Sequence, residues 1–336
     1  MRILYAIQGT GNGHVARAIE IIPYLQKYAH LDLFISGGNA DLIIPYPVKY
    51  KSKGISFFYN TRGGINYLST LRKLKFIAAS KEIRDLPVEN YDLVLNDFEP
   101  ISAYSCILKK TPIVSFGHQA AFNSIHCPRP IKKSILGELI LKRYAPAQNS
   151  IGLHFDNYDK NIFTPVIRSD IRNAEPKDLG HVTVYLPAFG TMELMNFFKK
   201  IRAYKFHIFS KHISSTFEID NLLFSPINLK GFSKSLINCH SIIMSSGFEG
   251  PSEALYLGKK LMVIPIKGQY EQECNAEALK KMGVPVFKKL DWETLVQIVN
   301  HLNYGNHTKM DYKNLTDSII ENQILKNIPL SEFLVA

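Results

Sequence analysis

Short apolar runs and longer amphipathic stretches alternate along almost the whole chain. In the first half, strands are predicted over Ile3–Ile7, Leu31–Ser36, Leu93–Asn96 and Ile113–Phe116, short runs dominated by apolar and β-branched residues. Apolar positions at helical spacing follow some of them, over Val15–Tyr28 and Ile101–Lys109. The second half repeats the scheme. Strands are predicted over Val182–Leu186, Lys205–Phe209, Ser241–Met244 and Leu261–Ile264, with helices over Glu193–Tyr204, Pro251–Leu257 and Asn275–Met282. Alternation of this kind implies parallel sheets joined by helical crossovers.

The pattern lapses once, over Thr164–Gly180, where Pro165, Pro176 and mixed polar residues read as a linker. At ~100–200 residues per domain, the 336 residues divide into two α/β, Rossmann-like domains. The expected boundaries are 1–165 and 180–315, with 316–336 as a helical tail packing back across both. A chain that is 46% hydrophobic, with 20 Phe and 17 Tyr, has enough apolar side chain for two cores and is neither disordered nor collagenous. Cys106, Cys127, Cys239 and Cys274 show no CxxC spacing, which argues against a disulfide framework or thiolate metal site and fits a reducing compartment. The first apolar run is too short for a signal peptide, and nothing approaches the ~20 apolar residues of a membrane span. A soluble cytoplasmic protein is expected.

Charge sharpens this picture. The net charge is +11, and residues 1–165 hold 20 basic against 12 acidic residues. Residues 49–84 carry nine cations against Glu82 alone, with Leu68, Leu71 and Leu74 at helical spacing among them. Residues 131–144 form a second basic amphipathic stretch. Such faces suit an anionic membrane surface, which would place the protein peripherally on the inner face of the cell membrane. The plain alternative is apolar faces packed on the sheet with solvated lysines outside. Nucleic acid is not expected as a partner, because no basic face interleaved with stacking aromatics is present.

Two segments carry candidate chemistry. The first strand runs into Gly9-Thr10-Gly11-Asn12-Gly13-His14-Val15-Ala16-Arg17 and then a helix, whose N-terminus offers unpaired N–H groups. His14 stands where a dinucleotide fingerprint would want its third glycine. A histidine at a strand's carboxyl end points into the ligand crevice and titrates near neutrality, which suits a general base. Asp97 closes the predicted strand Leu93–Asn96 at the same rim and would orient it; the alternative role for Asp97 is capping the helix that follows. His118 and Gln119, directly after Ile113–Phe116, are further crevice candidates. The second segment is Ser245-Ser246-Gly247-Phe248-Glu249-Gly250-Pro251-Ser252-Glu253, a strand–turn–helix unit whose amides and dipole suit a diphosphate. Glu253 would accept hydrogen bonds from a ribose diol, and the polar run Gln269–Ala276 would grip a sugar.

These residues resemble GT-B glycosyltransferases, both MurG-type and UDP-glucuronosyltransferase-type, over nearly the whole chain. Gly9–His14 is similar to the MurG-type first loop. Ser246-Gly247, Ser252-Glu253 and Gln272 with Asn275-Ala276 are similar to its donor motif, and Glu271-Gln272 resembles the Asp-Gln pair of the glucuronosyltransferase type. The resemblance implies two Rossmann-like domains facing across a cleft, with His14 and Asp97 catalytic and Gly11, Asn12, Gly13, Arg17, His118 and Gln119 on the acceptor side. It implies donor contacts at Ser245, Ser246, Gly247, Phe248, Glu253, Glu271, Gln272 and Asn275, with the nucleotide base near Asn228–Ser233 and the Phe232 ring. Ser245, Phe248 and Glu249 depart from the histidine, tryptophan and asparagine of the glucuronosyltransferase signature. No Asp-x-Asp motif is present, and neither a metal nor another cofactor is expected. The implied activity is metal-independent, inverting transfer of a hexose from a nucleotide diphosphate sugar, most simply UDP-linked, to a hydroxyl of a lipid-linked, envelope-glycan or small-molecule acceptor. The competing readings are a UDP-sugar epimerase or hydrolase, kept open by Glu99 and Glu249, and a non-catalytic nucleotide-sugar-binding subunit.

Overall fold

The computed structural model describes residues 1–38, 42–54 and 76–329. Among them, two sheets form. The first has the order β3-β2-β1-β4-β5-β6-β7, from β1 (Arg2–Gln8), β2 (His30–Ser36), β3 (Tyr50–Ser52), β4 (Leu93–Asp97), β5 (Ile113–Gly117), β6 (Asn149–Leu153) and β7 (Ile162–Phe163). All of its pairings are parallel. The second has the order β10-β11-β9-β8-β12-β13, from β8 (His181–Tyr185), β9 (Lys205–Ser210), β10 (Phe217–Ile219), β11 (Leu222–Pro226), β12 (Ser241–Met244) and β13 (Lys260–Val263), with only the β10–β11 pair antiparallel. Helices cover both faces of each sheet, so β1, β4 and β12 are buried almost throughout. Their unbroken apolar runs follow from that burial.

The parallel part of each sheet reverses its strand order once, between β1 and β4 and between β8 and β12. At such a switch point the flanking loops diverge and leave a crevice beyond the strands' carboxyl ends. The register pairs Ile7 with Asp97, bringing the loop after β1 and the end of β4 to one rim.

Several sequence expectations change. Thr164–Gly180 is not a passive linker: Ile167 and Ile171 are buried in the main core, and Ser169–Arg172 is a short helix. Strands β3, β6, β7, β10 and β11 escaped the pattern because they are short or broken by polar residues and glycine, as in Asn149-Ser150-Ile151-Gly152-Leu153. Leu68, Leu71, Leu74 and most of the basic stretch 49–84 lie outside the described residues. Of residues 131–144, Ile135–Arg143 is a helix capped by the Ser134 hydroxyl, which accepts from the Gly137 amide at 3.1 Å. Gly137 and Leu141 face inward, whereas Ile131, Ile135 and Leu139 are exposed, so this stretch is not simply packed on the sheet.

One apolar core runs from the helix Asn12–Leu25 through Phe155 and Ile171 to Leu255, Tyr312 and Ile320, joining both sheets. The final described segment lies on the first sheet's helix: Asn314 donates to the Tyr24 hydroxyl at 2.9 Å and Lys27 pairs with Asp317 at 3.2 Å. No described helix is long and apolar enough to cross a membrane.

Candidate active site

The first-sheet half of the site is built on β1, β4 and the loops that leave them. Gly11 enters the helix Asn12–Leu25 at φ 108, a left-sided conformation that glycine adopts without a Cβ penalty. His14 then sits in the first turn, and its Nδ1 donates to Asp97 Oδ1 at 2.8 Å. Asp97 is fully buried and is also gripped by Arg17, with Nη2 to Oδ1 at 2.7 Å and Nε to Oδ2 at 3.2 Å. After Asp97 the chain turns through Phe98, a non-glycine residue at φ 56, of a kind that costs ~1–3 kcal/mol unless the surroundings enforce it. Asn96 enforces it, accepting from the Glu99 amide at 3.1 Å and donating to the Glu99 carbonyl at 2.6 Å.

Glu99, and not Asp97, caps the next helix: its carboxylate accepts from the Ile101 amide at 2.8 Å and the Ser102 amide at 2.6 Å. Asp97 is therefore free to orient His14. Glu99 is buried away from the cleft and gives no support to sugar-epimerising chemistry there.

Burial opposes the imidazolium of His14, but the charge and hydrogen bond of Asp97 outweigh it and raise the His14 pKa above its ordinary value. Burial likewise opposes ionised Asp97. Arg17 and His14 overcome it, so that carboxylate titrates below its usual range. With Nδ1 committed to Asp97, Nε2 is the acceptor nitrogen, and it stands 3.4 Å from the Gln119 amide nitrogen.

The second-sheet half is the turn after β12 and the helix Glu249–Tyr256. Ser245, Gly247, Phe248 and Glu249 line the cleft, and Glu249 pairs with Arg17 from the other half. A helix N-terminus there offers amides and a dipole favourable to an anion. Glu271 accepts from Gln119 at 2.9 Å, and Gln272 accepts from the Ile266 amide at 3.0 Å; both line the cleft.

Ser246 and Asn275 do not. The Ser246 hydroxyl donates to the Gln272 carbonyl at 2.8 Å and Asn275 donates to the Ser246 carbonyl at 3.1 Å, so both hold the turn in shape. His118, expected on the acceptor side, is buried: its Nδ1 faces the Leu153 carbonyl at 2.9 Å and its Nε2 the Asn275 side-chain oxygen at 2.8 Å. Its ring stacks on Phe248 at 4.0 Å and 6°. Phe248 thus joins the two halves while lining both cavities, and His118 lines the larger one. Arg17 is spent on Asp97 and Glu249, and its side chain is only 2% exposed.

The halves enclose a cavity of about 590 Å³ that includes Gly11, Asn12, Gly13, His14, Gln119, Glu249 and Glu271 in its walls. A second cavity of about 180 Å³ adjoins it, with Asn12, Gly13 and Glu249 common to both. Its walls are apolar at Phe209, Ile227 and Phe232 and polar at Glu253 and Arg168. Asn228–Ser233 is not a free loop: Asn228 caps the helix Leu229–Asn238, and the Phe232 ring packs on Phe209 at 5.4 Å and Tyr185 at 5.5 Å. Glu253 is buried and held on both oxygens by Arg168, at 2.6 Å and 2.9 Å. Arg168 escaped sequence reasoning because it lies in the stretch read as a linker. Lys211 and His212, which line the larger cavity just past β9, were also missed. The rule that ligands gather at strand carboxyl ends would have found these two.

Two mostly parallel sheets with a polar cleft at their facing switch points have the GT-B architecture. Residues 1–303 match the family described as Glycosyl transferase family 1, and the chain belongs to it. No match was found among curated proteins. Solved structures with the same fold include a UDP-N-acetylglucosamine 2-epimerase, 14% identical over 97% of this chain and 96% of that one, with a TM-score of 0.58. UGT89C1 of Arabidopsis thaliana complexed with UDP-L-rhamnose is 12% identical over 90% of each chain (TM-score 0.57). The glycosyltransferase SnogD of Streptomyces nogalater is 15% identical over 91% of this chain and 96% of its own (TM-score 0.51).

Proposed function

We propose that the protein is an inverting hexosyltransferase that moves a sugar from a UDP-linked donor to a hydroxyl acceptor with His14 as general base. The observation that carries this reading is the His14–Asp97 pair at 2.8 Å in the wall of the cleft between the sheets. An acceptor hydroxyl entering from the first-sheet side passes its proton to His14 Nε2, and Asp97 stabilises the imidazolium that forms. The oxygen attacks the anomeric carbon from the face opposite the diphosphate, so configuration inverts. The apolar cavity at Phe209, Ile227 and Phe232 takes the nucleobase, with Glu253 accepting from the ribose. The Glu271–Gln272 pair faces the sugar. The amides of the turn at Gly247 and the dipole of Glu249–Tyr256 stabilise the departing diphosphate, a role that needs no metal or other cofactor.

UGT89C1, with its UDP-L-rhamnose complex, supports a UDP-sugar as the donor class. The acceptor is proposed to be lipid-linked or an envelope glycan, used by a cytoplasmic enzyme that touches an anionic membrane surface. Exposed Ile131, Ile135 and Leu139 among Lys132, Lys133, Lys142 and Arg143 support that placement.

The test is incubation with a panel of UDP-, GDP-, TDP- and CMP-sugars, with and without hydroxyl acceptors and with EDTA. Transfer from a UDP-sugar that survives EDTA is expected. Epimer formation or binding without turnover overturns the transferase reading. Flotation with anionic liposomes at low salt should carry the protein upward, and failure to float removes the membrane component.

A further inference from the structure

The cleft contains a carboxylate in a position that a diphosphate should disfavour. Glu249 occupies the first turn of the donor-side helix and lines both cavities, yet its charge is met from the opposite half by Arg17. Two observations show that this crossing is built in. Gly13, in the first turn of the helix that carries His14, lies so close that a Cβ there would run into the Glu249 carboxylate. In addition, Arg17 spans both halves: Nε and Nη2 serve Asp97, with Nη2 also 3.1 Å from His14 Nδ1, and Nη1 serves Glu249. The result is an unbroken line Glu249–Arg17–Asp97–His14 that begins on one sheet and ends at the acceptor nitrogen on the other.

We propose that Glu249 is a positioning residue for His14: it shares Arg17 with Asp97 from across the cleft, offsets the cation beside the imidazole, and makes the proton acceptor complete only when the donor-side half is seated. This rests on the reading of His14 as the base. The charged and titratable groups around His14 are Asp97 from β4, Arg17 from its own helix and Glu249 from the donor-side helix. Tyr5 from β1 adjoins Asp97 and Arg17, its phenol kept neutral mainly by burial; Gln119, after β5, is uncharged, and beyond it the Glu271 carboxylate from the helix Tyr270–Lys281 accepts from the same amide nitrogen. Without Glu249, the cation of Arg17 beside His14 is balanced by Asp97 alone, and less of that carboxylate's charge is left for the imidazole. An imidazolium then forms less readily and the base weakens.

The deciding experiment is an NMR titration of the His14 imidazole, assigned by its loss in H14A, in the wild type, Glu249→Gln and Gly13→Ala. Glu249→Gln removes the charge at constant shape. Gly13→Ala displaces the carboxylate while favouring the helix, which keeps the test available if the first variant folds poorly. Both are expected to move the His14 midpoint to lower pH. Rates add a second arm: Glu249→Gln should lower kcat about tenfold, the effect of ~1.4 kcal/mol in the barrier, without raising the donor KM. It should cost nothing further in an H14A background, since the effect runs through His14. An unmoved midpoint in both folded variants, or an equal loss with and without His14, overturns the proposal. If the wild type transfers no sugar at all, the functional reading falls while the titration still decides this one.

Discussion

Replacing His14 by alanine isolates the chemical step with little damage to the fold. The imidazole makes one strong bond, to Asp97 at 2.8 Å, and a hydrogen bond to a charged group contributes ~1.5–3 kcal/mol. Asp97 is not orphaned by its loss, because Arg17 still holds both of its oxygens, at 2.7 Å and 3.2 Å. Against a typical stability of ~5–15 kcal/mol the variant should fold. Catalysis has no such reserve. Gln119 presents its amide nitrogen, a donor, to the place where a proton must be accepted. Glu271 already accepts from Gln119 at 2.9 Å, and Glu249 is committed to Arg17. No other imidazole in the described cleft bonds Asp97, so the general-base factor of ~10²–10⁴ that the oriented His14 supplies should be lost. That corresponds to ~2.7–5.5 kcal/mol in the barrier. The assay is the initial rate of nucleoside diphosphate release with saturating donor and acceptor, run above the His14 midpoint, alongside nucleotide affinity and thermal unfolding. The affinity should stay near wild type. Retention of more than a tenth of the wild-type rate in a folded variant refutes the assignment.

Because protonated His14 cannot accept a proton, kcat/KM should rise with pH through a midpoint above the ordinary histidine value; Asp97→Asn should move that midpoint down and lower the plateau, and an unchanged pH–rate profile would contradict the pairing. Asp97 titrates below its usual range when folded, so its contribution to stability is present above the unfolded carboxylate pKa and is lost as pH falls through the depressed value. Urea midpoints of wild type and Asp97→Asn should therefore converge in strong acid, and a constant gap down to the lowest pH refutes this. Glu253→Ala leaves buried Arg168 at the end of the smaller cavity with only the half-exposed Asp170 as counter-charge and should weaken nucleotide binding by calorimetry at least tenfold; unaltered affinity would place the ribose elsewhere. Phe248→Ala removes a buried ring stacked on His118 and 5.2 Å from Phe155, at a cost of ~3–5 kcal/mol in denaturant unfolding. A loss below ~1 kcal/mol would mean the wedge between the halves carries little of the stability.

How much of this was legible beforehand depends on how local each feature is. The glycine-rich turn after β1, the histidine in it and the aspartate ending β4 were readable, because strand ends are visible as the close of an apolar run and the parallel-sheet rule puts their carboxyl ends on one rim. The assignment of partners was not. Asp97 and Glu99 are two residues apart, and only the turn at Phe98 decides that one caps a helix while the other faces His14. Asn275 and Ser246 have the residue types of a sugar hook but are turned inward to hold a loop.

By itself the chain determined the alternating strands and helices, the two parallel sheets and the rims at which polar residues would gather. These follow from periodicity and from the burial of both sheet faces, properties that act over a few residues at a time. Tertiary structure alone decided that Arg168 would hold Glu253, that His118 would stack on Phe248, and that Arg17 and Glu249, 232 residues apart, would neutralise each other across the cleft. Such pairings depend on how two separately built halves face each other. Charge and shape complementarity across a gap leave no periodic trace in the order of residues.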